Sequence, residues 1–145
     1  MSGSTQKASK DLIRRWFEEV WNKRNEKAVD EMLAEPCSVH GLGDEICCPD
    51  DFKRYHREMN AAISDIHMTV DKLVSEGEDI CGIMTVSGVH RATGKPFTVK
   101  GAFLSTVRDG KIVNAENVID FMPMFTAIGL MSEKSLADAL TGGEL

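Results

Sequence analysis

Several things are scarce in this 145-residue sequence, and each scarcity excludes something. Basic residues are outnumbered, 17 Lys and Arg against 23 Asp and Glu, which argues against a nucleic-acid footprint. No apolar run approaches membrane-spanning length, and the polar N-terminus lacks the apolar stretch of a secretory signal. A cytoplasmic setting is therefore expected, with Cys37, Cys47, Cys48 and Cys81 as free thiols. Internal repeats and low-complexity linkers are missing, so residues 1–145 are expected to form one domain with a core over about 9–130 and a C-terminal extension at 131–145. Tyrosine is nearly absent: Tyr55 stands alone. What remains, 42% hydrophobic and 28% charged residues, is ordinary for a globular chain.

The stretch from Asp79 to Met122 organises the rest. It reads as three antiparallel strands joined at Thr93-Gly94 and Asp109-Gly110, the second being a strong hairpin signal. Two-residue turns at both places would pair Phe103 with Glu116, Gly101 with Val118, Val99 with Asp120 and His90 with Phe97. One face then carries Met84, Val86, His90, Phe97, Val99, Phe103, Val118, Asp120 and Met122, with gaps at Gly88 and Gly101. The opposite face (Thr85, Ser87, Thr98, Lys100, Thr106, Asn117) is more polar. The apolar face is expected to line a pocket.

Before these strands, Ser9 can cap a helix whose apolar stripe is Leu12, Ile13, Trp16, Phe17, Val20 and Trp21. A shorter helix with Val29, Met32 and Leu33 ends before Pro36. Cys37 to His40 reads as a short strand, and Asp50 or Asp51 opens a helix striped with Phe52, Tyr55, His56, Met59 and Ile63. A strand over Ile66–Val74, a turn at Glu76-Gly77, and helical segments at 123–130 and 132–140 complete the chain. Met1–Ala8 and Thr141–Leu145 are expected to be loose. Helices gathered ahead of antiparallel strands define an α+β domain, here a curved antiparallel sheet wrapped as a cone over three N-terminal helices.

These residues carry a family likeness. The helix segment from Glu18 to Asn25, the run from Val86 to Phe97, the hairpin Asp109-Gly110-Lys111-Ile112-Val113, and Asp120 followed by Ile128-Gly129-Leu130 resemble SnoaL-like polyketide cyclases of the nuclear-transport-factor-2-like, cystatin-like roll fold. The resemblance covers about Leu12 to Leu130. It implies a carboxylate on the last long strand acting as general acid/base in an intramolecular aldol cyclisation, a role that falls on Asp120. It also matches His90 to a pocket histidine and implies a homodimer. Limonene epoxide hydrolases of this fold use an arginine and aspartate where Met84 and Val86 stand, so that activity is not expected. A scytalone-dehydratase-like site would want more tyrosines than one.

The catalytic expectation thus rests on Asp120, whose pKa desolvation would raise, with His90 polarising a carbonyl oxygen. Asp120 could instead hydrogen-bond turn amides towards Pro123, and His90 could be a half-exposed hairpin residue. The substrate-binding set is Trp16, His40, Tyr55, Met59, Met84, Val86, Phe97, Val99, Phe103, Val118 and Met122. No metal or organic cofactor is expected, since adjacent Cys47 and Cys48 rarely aim both sulfurs at one ion. The expected partner is an apolar small molecule, met either by cofactor-free cyclase- or isomerase-type chemistry on a carbonyl compound or by a non-catalytic binding module.

Overall fold

The computed structural model describes residues 3–143. The first helix, α1 (Gly3–Arg15), starts earlier than a Ser9 cap would allow; Ser9 lies inside it and is buried. An i,i+4 ion pair from Lys7 to Asp11 at 2.9 Å favours this extra turn. Met1 and Ser2 lie outside the described residues. The helix continues as a π-helical stretch over Trp16–Asn22, with the Lys23 N–H donating to the Glu18 carbonyl at 2.8 Å. Bonds of this i→i+5 type bring residues five apart onto one side. Trp16 and Trp21 therefore share a buried face with Phe17 and Val20.

After α2 (Lys27–Met32) comes β1 (Leu33–His40), longer than the four-residue strand expected. Helix α3 (Pro49–Ala62) uses Pro49 in its first turn, where a missing N–H costs nothing. Strands β2 (Ile63–Glu76), β3 (Asp79–His90), β4 (Lys95–Arg108) and β5 (Lys111–Ile119) follow, then two short helices, α4 (Met122–Ala127) and α5 (Glu133–Thr141). Ser132 caps α5, its hydroxyl accepting from the Ser135 N–H at 3.0 Å. Thr141 is helical rather than loose, while Glu144 and Leu145 lie outside the described residues. The sheet order is β1-β5-β4-β3-β2, antiparallel except that β1 joins β5 in parallel. The fold is α+β, with the curled sheet packed on the helices.

The two hairpins depart from simple counting in different ways. Between β3 and β4 the turn spans Arg91–Gly94, closed by the Gly94 N–H donating to the His90 carbonyl at 2.7 Å. His90 therefore opposes Lys95, and Gly88 opposes Phe97. That is a slip of two residues, so every side chain keeps its expected face. At the β4–β5 turn Asp109 and Gly110 both take positive φ, 52° and 76°, as a tight right-twisting hairpin turn requires. Arg108 pairs with Lys111 and Val107 with Ile112, but Thr106 then pairs with Asn114. Val113 is one extra residue, a bulge, and it reverses β5 from there on. Phe103 opposes Asn117 rather than Glu116, and Gly101 opposes Ile119 rather than Val118.

The core forms between the concave face and the helices. Phe17, Val20, Trp21, Val29, Met32, Ile80, Met84, Phe97, Val99 and Phe103 are all buried there, each such side chain contributing about 1.5–3 kcal/mol. The strand glycines do not leave the empty room expected of them. A Cβ on Gly88 would meet Ile63 at 2.6 Å, and one on Gly101 would meet Ile119 and Met84 at 3.0 Å. The gaps are filled by their neighbours.

Candidate functional site

A cavity of about 70 Å³ opens between the helices and the concave sheet face. Each wall comes from a different element. The π-helical stretch supplies Trp16, Phe17 and Trp21, and α3 supplies Phe52, Tyr55 and Met59 at i, i+3, i+7. Strands β3 and β4 supply Met84, Val86, Phe97, Val99, Phe103 and Ser105. Ala115, Asn117 and Ile119 of β5, with Phe121 beyond it, close the side. Trp16 packs edge-on against Phe52 at 4.8 Å and Trp21 against Tyr55 at 6.1 Å, while Phe17 lies tilted on Phe103 at 5.0 Å. Such offset contacts stiffen the floor of the cone.

The structure brings together Trp16, Tyr55, Met59, Met84, Val86, Phe97, Val99 and Phe103 from the substrate-binding set. Five other expected site residues lie off the cavity wall. Because of the Val113 bulge, Val118 is 75% exposed. Asp120 is likewise exposed, its Oδ1 accepting the Met122 N–H at 3.1 Å, which is the turn-binding role weighed against a catalytic one. Met122 begins α4 and is not on the cavity wall. His90 keeps the concave parity but sits at the hairpin mouth, where its Nδ1 lies 2.9 Å from the Thr93 hydroxyl. His40 is exposed and pairs through Nε2 with the Ser38 hydroxyl at 2.7 Å. A third histidine, His56, is a packing residue: it is buried, its Nε2 donates to the Val20 carbonyl at 2.7 Å, and its ring leans on Trp21.

Counting along the strand missed Asn117 and Ile119, because Val118 and Ile119 are both apolar and alternation is ambiguous there. The five-residue spacing of Trp16 and Trp21 was a usable signal, since an α-helix would separate them around its axis.

Among the described residues, no Asp, Glu, His, Lys or Arg lines this cavity. Its polar side chains are Tyr55, Ser105 and Asn117. Asn117 donates from Nδ2 to the His40 carbonyl at 3.0 Å. That contact depends on Gly41, which at φ +87° presses its backbone on β5: a Cβ there would come within 1.8 Å of the Asn117 carbonyl oxygen. Burial pushes the Tyr55 phenol up to about 12, with the negative charge of Asp44 adding to the effect. Tyr55 is thus a neutral donor at any ordinary pH. Such a wall can hydrogen-bond an uncharged group, whereas an ion held there would have no counter-charge.

The family model for SnoaL-like polyketide cyclases matches residues 11–128. No functionally curated protein matches significantly. TsrD from Streptomyces laurentii is similar in structure, with a TM-score of 0.78, 18% identity, and 90% of this chain and 99% of that one covered. IdmH from Streptomyces antibioticus follows at a TM-score of 0.74 and 23% identity, covering 83% and 98%. A protein of ketosteroid isomerase-like fold from Catenulispora acidiphila, solved with trimethylamine, has a TM-score of 0.75 at 18% identity, covering 81% and 92%. At these identities the likeness speaks for the fold. The family match spans most of the chain, and the protein belongs to the SnoaL-like polyketide cyclase family.

Proposed function

We propose that the protein binds an uncharged, flat, apolar carbonyl compound of polyketide type inside the cone. The observation that carries this reading is the cavity wall: aromatic rings and methionines, with neutral hydrogen-bonding groups from Tyr55, Ser105 and Asn117 and no ion. At about 70 Å³ the space is smaller than the roughly 300–1,000 Å³ of established ligand sites. Met59, Met68 and Met84 on its wall are unbranched side chains that can swing aside. Both tryptophans of the chain line the cavity, so their fluorescence reports occupancy directly. Titration with a hydroxyanthraquinone should quench it saturably. Quenching that is linear and unaffected by Phe103→Ala or Met84→Ala would refute binding at this site.

A second reading, cofactor-free cyclase or isomerase chemistry with Asp120 as base and His90 as electrophile, draws on the family and on one local fact. Asp120 lies between Ile119 and Phe121, and both of these line the cavity. Its carboxylate would have to leave the Met122 N–H and turn across the mouth. Turnover of a β-keto aromatic substrate, lost in Asp120→Asn with ligand quenching retained, would support catalysis. Quenching with no turnover in the wild type would leave the binding module.

We also propose a homodimer through the outer sheet face. Val74, Ile83, Leu104 and Val118 stand exposed there, with Ile83 beside Ala102 and Ala102 beside Val118 across three strands. Light scattering on a dilution series, repeated with Val118→Lys, tests this: a monomer at every concentration overturns it.

A further inference from the structure

Resting on the cavity binding proposed above, we propose that Ser105 and Asn117 form a hydroxyl-recognition subsite on the sheet wall. It takes a free hydroxyl group of the ligand and discriminates against the corresponding methyl ether. Ser105 interrupts an apolar pattern. Along β4 the buried positions alternate as Phe97, Val99, Gly101, Phe103, Ser105 and Val107, and Ser105 alone among them carries a polar side chain. It is only 6% exposed. Among the described residues its hydroxyl has no hydrogen-bond partner, yet none of their buried side-chain oxygens or nitrogens is both sealed off and unbonded. The Ser105 oxygen therefore opens onto the cavity that the residue lines. A hydroxyl held in apolar surroundings without a partner opposes folding, and a ligand that bonds it removes that cost.

Asn117 stands beside it. Phe103 pairs with Asn117 and Ser105 with Ala115, and all four residues line the cavity. Ser105 and Asn117 are thus diagonal neighbours on one face, with Cα atoms about 7–8 Å apart and Cβ atoms closer. The Asn117 amide has a fixed sense. Its Nδ2 donates to the His40 carbonyl at 3.0 Å, and only the NH2 end of an amide can satisfy that acceptor. Oδ1 is left as an acceptor without a partner among the described residues.

One hydroxyl placed between the two side chains satisfies both. It accepts from the Ser105 O–H and donates to Asn117 Oδ1, through two O···O contacts of about 2.7–2.8 Å. A methyl ether has no proton for Oδ1 and puts a carbon in its place. A carbonyl oxygen could accept from Ser105 but would set a second acceptor against Oδ1, and a phenolate would do the same with a full charge.

The test titrates the tryptophan fluorescence with 2-hydroxyanthraquinone, 2-methoxyanthraquinone and anthraquinone, in mildly acidic buffer that keeps the phenol protonated. Anthraquinone measures what the apolar walls supply alone. The hydroxyl compound should bind about tenfold more tightly than the methoxy compound, the combined worth of two modest hydrogen bonds. In Ser105→Ala, which breaks no hydrogen bond within the protein, that preference should fall to about threefold. Equal affinities for the hydroxyl and methoxy probes in the wild type, with saturable quenching by both, overturn the subsite and leave binding in the cone standing. A preference that survives undiminished in Ser105→Ala also overturns it. Saturable quenching by none of the three overturns the cavity reading and this inference with it.

Discussion

The two hairpins of this sheet look alike in sequence and behave differently in space. Each has a glycine-containing turn between alternating apolar and polar residues. In the first, four turn residues instead of two slide the partners by two positions, and the concave face survives unchanged. In the second, a single extra residue at Val113 turns Asn117 and Ile119 into the cone and Val118 and Asp120 out of it. Because side chains alternate with a period of two, even slips are harmless and odd slips exchange the faces. One residue decides which polar groups meet the cavity.

That contrast can be broken directly. Deleting Val113 should remove the extra residue yet leave Asn114 opposite Thr106 and Asn117 opposite Phe103, so Asn117 and Ile119 keep facing the cone and unfolding stays cooperative, as followed by circular dichroism. A deletion variant that loses cooperative unfolding would mean that Val113 does more than offset the register by one residue. On the face that both hairpins share, Phe103→Ala should cost about 3–5 kcal/mol in urea denaturation, since the ring is buried and fills the space over Gly82.

Next in size is a pH effect. With its phenol held at about 12 against 10 in the unfolded chain, folded Tyr55 keeps its proton where unfolded Tyr55 has lost it. The unfolded state then binds fewer protons, so this contribution is intact below pH 10 and declines by about 2–3 kcal/mol as pH rises to 12. As the chain's lone tyrosine, Tyr55 can be read from tyrosinate absorbance alone. A midpoint near 10 in folded protein would remove it from the buried wall.

The smallest effects set the two β5 neighbours against each other. Asn117→Ala should cost about 1–2 kcal/mol by leaving the His40 carbonyl without its donor. Asp120→Ala, losing an exposed bond to the Met122 N–H, should stay within about 1 kcal/mol. Thermal melts of the pair check the order, and an inverted order would place Asp120 inside.

Much of this architecture was legible beforehand, for physical reasons. The stripe from Leu12 to Trp21, the α3 stripe of Phe52, Tyr55 and Met59, and the alternation of Met84, Val86, Phe97, Val99 and Phe103 all repeat at the period of their own element. Local pattern and burial agree there, and the structure puts most of these residues on the cavity wall. Asp120, His90, His40, Val118 and Met122 were placed in the site by counting from turns or by likeness. For Val118, Asp120 and Met122 no periodic pattern is strong enough to correct a one-residue error, whereas His90 keeps its face and lies at the hairpin mouth.

By itself the sequence determined which segments are helices and strands, the α+β class and the apolar character of the concave face, because periodicity and turn chemistry act over a few residues. Only the tertiary structure decided the β5 register, the inward turn of Asn117 and the outward turn of Asp120. It also decided the parallel pairing of β1 with β5. A bulge and a long-range strand contact are chosen by packing against the opposite wall, and no short window of residues contains that wall.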